Sequence, residues 1–178
     1  MDRDVTAAVF WLAGALLASA VGAGRAQAEP SAELAKFAGS YQFAGTDEEG
    51  TAVIDKAIEE AVSQMNKVKA LVVRKVLEAN KRFIKQVKID LPDNRIHIKL
   101  DDLESDTKLD EAKDIGSGAK LTVRFKGGKL EQVVASDRGA FTTVFQLVQG
   151  GQMLQRDITV TDKWLDKPVR YRLLYKRR

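Results

Sequence analysis

From residue 86 to residue 176 the chain alternates apolar and polar residues with a period of two, and each run ends in a turn signal. Residues with that period share one apolar face only when the backbone is extended. Gln86 to Leu91 puts Val87, Ile89 and Leu91 on one side before Pro92-Asp93-Asn94, and Arg95 to Leu100 repeats the pattern with Ile96, Ile98 and Leu100. Residues 101 to 115 are acidic, with one short strand expected among them, and Gly116-Ser117-Gly118 ends that region. Lys120 to Lys126 sets Leu121, Val123 and Phe125 against Lys120, Thr122, Arg124 and Lys126; Gly127-Gly128 is then a two-residue hairpin turn into Lys129 to Ser136. Three further runs follow, Ala140 to Val148, Gln152 to Thr161 and Val169 to Lys176, parted by Asp137-Arg138-Gly139, Gln149-Gly150-Gly151 and Pro168. Strands of similar length joined by tight turns make an antiparallel meander.

Upstream the period changes. Residues 36 to 45 read as a first strand, with Phe37, Gly39, Tyr41 and Phe43 on one face. Thr46 followed by Glu49 is a capping box, with acidic groups at the positive end of the helix it starts. Val53, Ile54, Ala57, Ile58, Ala61, Val62 and Met65 recur at three and four, so that helix runs to about residue 65. After Asn66 a second helix carries an apolar stripe of Val68, Leu71, Val72, Val76, Ala79 and Phe83. Its other positions hold Lys67, Lys69, Arg74, Lys75, Lys81, Arg82 and Lys85, which makes it basic and amphipathic. A meander with polar outer faces must pack on another layer or close on itself, and two helices are too few to cover it. The expected fold is therefore mainly β: an antiparallel meander closed into a β-barrel or β-clam, with a two-helix lid at about residues 47–85 inserted after the first strand. Barrels of this kind enclose a cavity for an apolar ligand.

The N-terminus reads as an export signal, because residues 5 to 24 are uncharged and Ala26-Gln27-Ala28 supplies a peptidase site. Cleavage after Ala28 leaves residues 29–178 as one domain, placed in the periplasm or secreted; retention of the segment as an anchor is the rival reading, since it is long enough to span a bilayer. An exported chain with no cysteine must hold together by its core alone. The single histidine, His97, excludes multi-histidine metal sites, and no nucleophile, base and orienting group can be assembled. The net charge of +4 is spread over both signs, which argues against nucleic-acid binding but permits transient contact with anionic membranes. No cofactor and no metal is expected, and the chain is read as a monomer. Asp101, Asp102, Glu104, Asp106, Asp110, Glu111 and Asp114 lack the spacing of a calcium loop and are read as a solvated acidic segment.

Several stretches resemble the intracellular fatty-acid-binding protein family of the calycins. Phe37-Ala38-Gly39-Ser40-Tyr41 is similar to that family's opening Phe-x-Gly-x-Trp, and Ile98-Lys99-Leu100 with the acidic residues after it is similar to its Phe-Lys-Leu-Gly-Glu-Glu. Phe125-Lys126-Gly127-Gly128-Lys129-Leu130 resembles a later hairpin, Thr142-Thr143 a Thr-Thr pair ahead of a ligand-contacting strand, and Leu174-Tyr175-Lys176-Arg177 the closing Val-Tyr-Glu-Arg. The helical segment is about twice as long as the family's, and export is unusual for it. The resemblance implies a clamp of two arginines and a tyrosine on a ligand carboxylate. Aligned on these motifs, Gln146 and Leu173 stand where the arginines would be, and Tyr175 keeps the tyrosine. A glutamine there favours a neutral hydroxyl or amide, and a register slip of one would let Arg156 or Arg172 restore a charge.

The candidate ligand-binding residues are therefore Tyr41, Gln146, Arg156, Tyr171, Arg172 and Tyr175. The three tyrosines lie on predicted inner faces, as core residues or as pocket groups. Gln146 shares a face with Val144 and Val148, while the opposite face offers Phe141, Phe145 and Leu147 as the inner one. Lys75, Lys81, Arg82 and Lys85 are the candidate portal residues, either an ordinary solvated face or a surface for anionic lipid headgroups. His97, between Arg95 and Lys99, is read as surface. The function expected is non-enzymatic binding and transport of a fatty acid, sterol or similar lipid. The alternative is an exported interaction module with a packed barrel, binding a protein or an anionic membrane through its basic helix.

Overall fold

The computed structural model describes residues 31–93 and 95–178; the expected signal segment and Asn94 of the predicted turn lie outside the described residues. A four-residue helix, α1 (Ala32–Ala35), opens the described chain, capped by the Ser31 hydroxyl. It is too short to leave a periodic signal. Strand β1 (Gly39–Phe43) leads to α2 (Asp47–Val62), which starts at the predicted capping box: Thr46 Oγ1 accepts from the Glu49 amide and Glu49 Oε2 from the Thr46 amide. Helix α3 (Lys67–Asn80) is capped by Asn66. It ends short of the expected residue 85, because Lys81 leaves it in an extended conformation and Phe83 turns back to stack edge-on against Phe43, with ring centroids 4.9 Å apart. Gly50 permits this return: a Cβ there would lie 2.1 Å from the Phe83 ring.

The remaining strands are β2 (Gln86–Asp90), β3 (Arg95–Leu100), β4 (Leu103–Lys108), β5 (Lys113–Asp114), β6 (Lys120–Lys126), β7 (Lys129–Ala135), β8 (Gly139–Val148), β9 (Met153–Asp162) and β10 (Val169–Arg177). The acidic segment thus holds two strands where one was expected. Ser105 and Thr107 occupy inward positions on β4, opposite Ile98 and Ile96, so the apolar period is absent there. The β6–β7 turn is the two-residue hairpin predicted, with φ of 59° at Gly127 and 71° at Gly128, values that glycine adopts without steric cost.

All ten strands form one antiparallel sheet in the order β4-β3-β2-β1-β10-β9-β8-β7-β6-β5. Two places depart from a simple meander: β1 pairs with both β2 and β10, so that the first strand joins the last, and β4 and β5, consecutive in the chain, stand at the two edges of the sheet. The sheet curls until Leu109, just after β4, bridges Val123 on β6, which makes a nearly closed barrel. Its inner wall carries Val87, Ile89, Ile96, Ile98, Leu121, Val123, Leu130, Phe145, Leu154 and Leu173, with Leu34 and Phe37 beneath them. Each such side chain contributes about 1.5–3 kcal/mol by leaving water. Helix α2 lays Ile54, Ala57, Ile58 and Ala61 over Val169, Val160 and Tyr171 at one end of the barrel.

Helix α3 turns the other way from what its stripe suggests. It packs through Val73, with Ala70 and Leu77, on Val62, Met65 and Leu165. The longer stripe of Val68, Leu71, Val72 and Val76 faces outward, at 77, 65, 56 and 53% exposure.

Candidate functional site

The β8–β9–β10 wall fixes which side chains enter the barrel. Phe145 pairs with Arg156, which pairs with Leu173, so these three residues share one rung of the inner face. Arg156 is 2% exposed, belongs to no ion pair among the described residues, and its Nε has no hydrogen-bond partner. On β10 the inward neighbours are Tyr171 and Tyr175. Burial pushes both phenols above their ordinary pKa, against the pull of the Arg156 charge beside them. The Tyr175 hydroxyl donates to the Ile84 carbonyl at 2.9 Å.

One rung along, Thr143 stands between Gln132 on β7 and Ile158 on β9. It is fully buried, and its Oγ1 has no partner. Gln132 is also buried, and its Nε2 donates to Ser105 Oγ on β4 at 2.8 Å. A band of polar groups therefore crosses a largely apolar interior. A guanidinium without a counter-ion in such surroundings carries several kcal/mol of desolvation cost. Arg156 is thus poised to hold a carboxylate or similar anion through planar, charge-assisted hydrogen bonds.

Of the residues singled out in the sequence, Arg156, Tyr171 and Tyr175 come together here. Tyr41 does not join them. Buried at the opposite floor, it donates to the Phe37 carbonyl at 2.8 Å and accepts from Arg177 at 2.7 Å. Gln146 is corrected to the outer face, between Lys129 and Gln155, because Thr143 and Phe145 take the inward positions of β8. Arg172 is corrected likewise: it is exposed and pairs with Asp157 at 2.6 Å. Thr143, Gln132 and Ser105 were missed as site residues, for the period-two pattern carries no signal that separates a polar inward residue from a polar outward one.

The portal residues divide. Lys81 pairs with Asp55 at 2.6 Å, Arg82 with Asp102, and Lys85 with Asp47, so three of the four tie the lid to itself and to the barrel. Lys75 stands exposed amid the outward ridge of α3. Trp164, in the β9–β10 loop that packs on α3 through Leu165 and the Lys69–Asp166 pair, is 56% exposed. On the outer face of β3, His97 lies 3.7 Å from both Asp90 and Glu104. The acidic segment has structural partners: Asp106 takes a two-point grip from Arg95, and Asp101 accepts the Lys85 and Gln86 amides.

No family model and no curated protein matches the chain. Solved structures do. The fluorescent protein UnaG, wild type, is 18% identical over 81% of this chain and 98% of its own, with a TM-score of 0.51. A secretory abundant heat soluble (SAHS) protein of Ramazzottius varieornatus is 18% identical over 80% and 96%, also at 0.51. The Schistosoma mansoni fatty acid binding protein, described in complex with arachidonic acid, is 14% identical over 82% and 98%, at 0.50. Identities this low speak for architecture alone, and by architecture the chain is a ten-stranded, helix-lidded barrel of the fatty-acid-binding protein and calycin type.

Proposed function

We propose that the chain is a non-enzymatic carrier that holds a hydrophobic molecule with an anionic end inside its barrel, in the periplasm after export, as a monomer without cofactor or nucleic acid. One observation carries the reading: Arg156 projects its charge into the interior with no counter-ion among the described residues. A fatty acid supplies both the apolar body and the missing anion. The arachidonic acid bound by the Schistosoma protein has that chemistry, on a barrel of the same architecture.

Native mass spectrometry of the purified mature domain, followed by organic extraction, tests this directly. A co-purifying acidic lipid, or saturable binding of a fluorescent fatty acid, is expected. Arg156→Leu should weaken the fatty acid about tenfold or more, the worth of a charged hydrogen bond, and leave the matching fatty alcohol unaffected. Absence of lipid together with no binding of fatty-acid or sterol probes would defeat the carrier reading and leave the interaction module.

The α3 ridge favours a second reading, contact with an anionic membrane. Convex aliphatic side chains around a lysine, beside an exposed tryptophan, suit the boundary between headgroups and acyl chains, where the lysine stem is buried and its ammonium meets phosphate. A second copy of α3 would instead press two Lys75 charges into one seam. Docking there would bring the lid to the membrane from which a ligand is taken or to which it is given.

A further inference from the structure

We infer that the inner wall recognises a second polar atom of the ligand at Thr143, so that the ligand class is an oxygenated amphiphile, an acid whose hydrocarbon part carries a hydroxyl or keto oxygen. The inference rests on the carrier reading above. Thr143 Oγ1 is buried without a partner on a rung shared with Ile158, the already engaged Gln132 and, two strands away on β10, Tyr171. An unmade hydrogen bond in such a place is an uncompensated desolvation penalty, which a valine of the same shape would avoid.

The position separates this group from the anion site. Arg156 lies two residues from Ile158 along β9, so its rung and that of Thr143 are roughly 7 Å apart along the strands. Arg156 sits beside Tyr171 and Tyr175 on the β10 side, whereas Thr143 faces Gln132 on the β7 side. Phe145 and Ile158, the neighbours that the two share, are apolar. A plain alkyl chain leading away from Arg156 past these residues leaves the Thr143 hydroxyl unmet. An oxygen several bonds in from the acid meets it, and because a hydroxyl both donates and accepts, a ligand alcohol and a ligand ketone fit equally.

The test is competition of stearic acid, and of monohydroxy- and ketostearic acids with the oxygen moved along the chain, against a fluorescent fatty acid. One position on the chain should bind about five- to tenfold tighter than stearic acid, the contribution of one net hydrogen bond. Thr143→Val should erase that preference by weakening the favoured oxygenated acid, with stearic acid bound as tightly or tighter, and Thr143→Ser should retain it; should Thr143→Val not fold, Thr143→Ala removes the same hydroxyl. Equal binding of all acids by the wild type, or a preference that survives loss of the hydroxyl, overturns the subsite while the carrier reading stands. Failure of the folded protein to bind any of the acids overturns both.

Discussion

The chain has three tyrosines, and burial raises the pKa of all three, most simply because a phenolate has no water to turn to. Arg177 beside Tyr41, and Arg156 beside the other two, pull the opposite way without cancelling the effect. Native phenols that stay neutral while unfolded ones ionise near pH 10 make the folded state the one that holds more protons. Their contribution to stability is therefore complete below about pH 10 and is lost as pH climbs from there toward the native values. Tyrosinate absorbance should lag behind its ordinary onset and rise together with the loss of the near-ultraviolet dichroism; tyrosinate formed near pH 10 in an intact fold would contradict the burial. At this scale the sequence was legible only in part. The β10 alternation placed Tyr171 and Tyr175 on their face, but β8 offers two plausible faces, and Gln146 and Arg156 exchange roles with one step of register. Only the pairing of Phe145 with Arg156 decides between them.

At the scale of the element, β2, β3 and β6 to β10 were read nearly to the residue because a half-buried strand writes its burial into every second position, whereas the first strand, expected over residues 36–45, is only Gly39–Phe43, since α1 and its cap take the chain up to Lys36. Strand β4 escaped that reading since Ser105 and Thr107 face inward. Helix α3 shows a different limit, for it has two apolar faces. Ala70, Val73 and Leu77 form a short one that meets α2 and Leu165, and Val68, Leu71, Val72 and Val76 form the longer one left in water. Periodicity identifies both and says nothing about which has a partner. If the longer face meets a membrane, replacing Leu71, Val72 and Val76 with glutamine should abolish sedimentation with anionic vesicles and leave the melting temperature unchanged or higher, because no packed contact is removed. Lys75→Glu should weaken binding and flatten its salt dependence. Charge reversal at Lys81 and Lys85 is a different experiment: it breaks the solvent-screened pairs with Asp55 and Asp47 and acts on how the lid is tied down. Vesicle binding undiminished in the triple glutamine variant would rule the ridge out as the docking surface.

For the whole molecule, a meander becomes a barrel only where its ends meet, and here that seam is the pairing of β1 with β10. Arg177 locks it. Its Nε donates to the Gly151 carbonyl at 3.1 Å, Nη1 to Ala38 at 2.8 Å, and Nη2 to Lys36 at 2.5 Å and to the Tyr41 hydroxyl at 2.7 Å, while the guanidinium lies 4.9 Å from the centre of the Tyr41 ring. One side chain thus ties the last strand to the segment after α1, to the β8–β9 turn and to the inner face of β1. Lysine carries the same charge but lacks the planar fork that reaches carbonyls on several segments at once. Arg177→Met and Arg177→Lys should each lower the free energy of unfolding in urea by about 2–4 kcal/mol, with the lysine variant little better than methionine and the slope unchanged. Rescue by lysine would mean that charge alone closes the seam. A loss below about 1 kcal/mol in both would instead mean that Leu34 and Phe37, sealed beneath the barrel, hold the floor without the arginine.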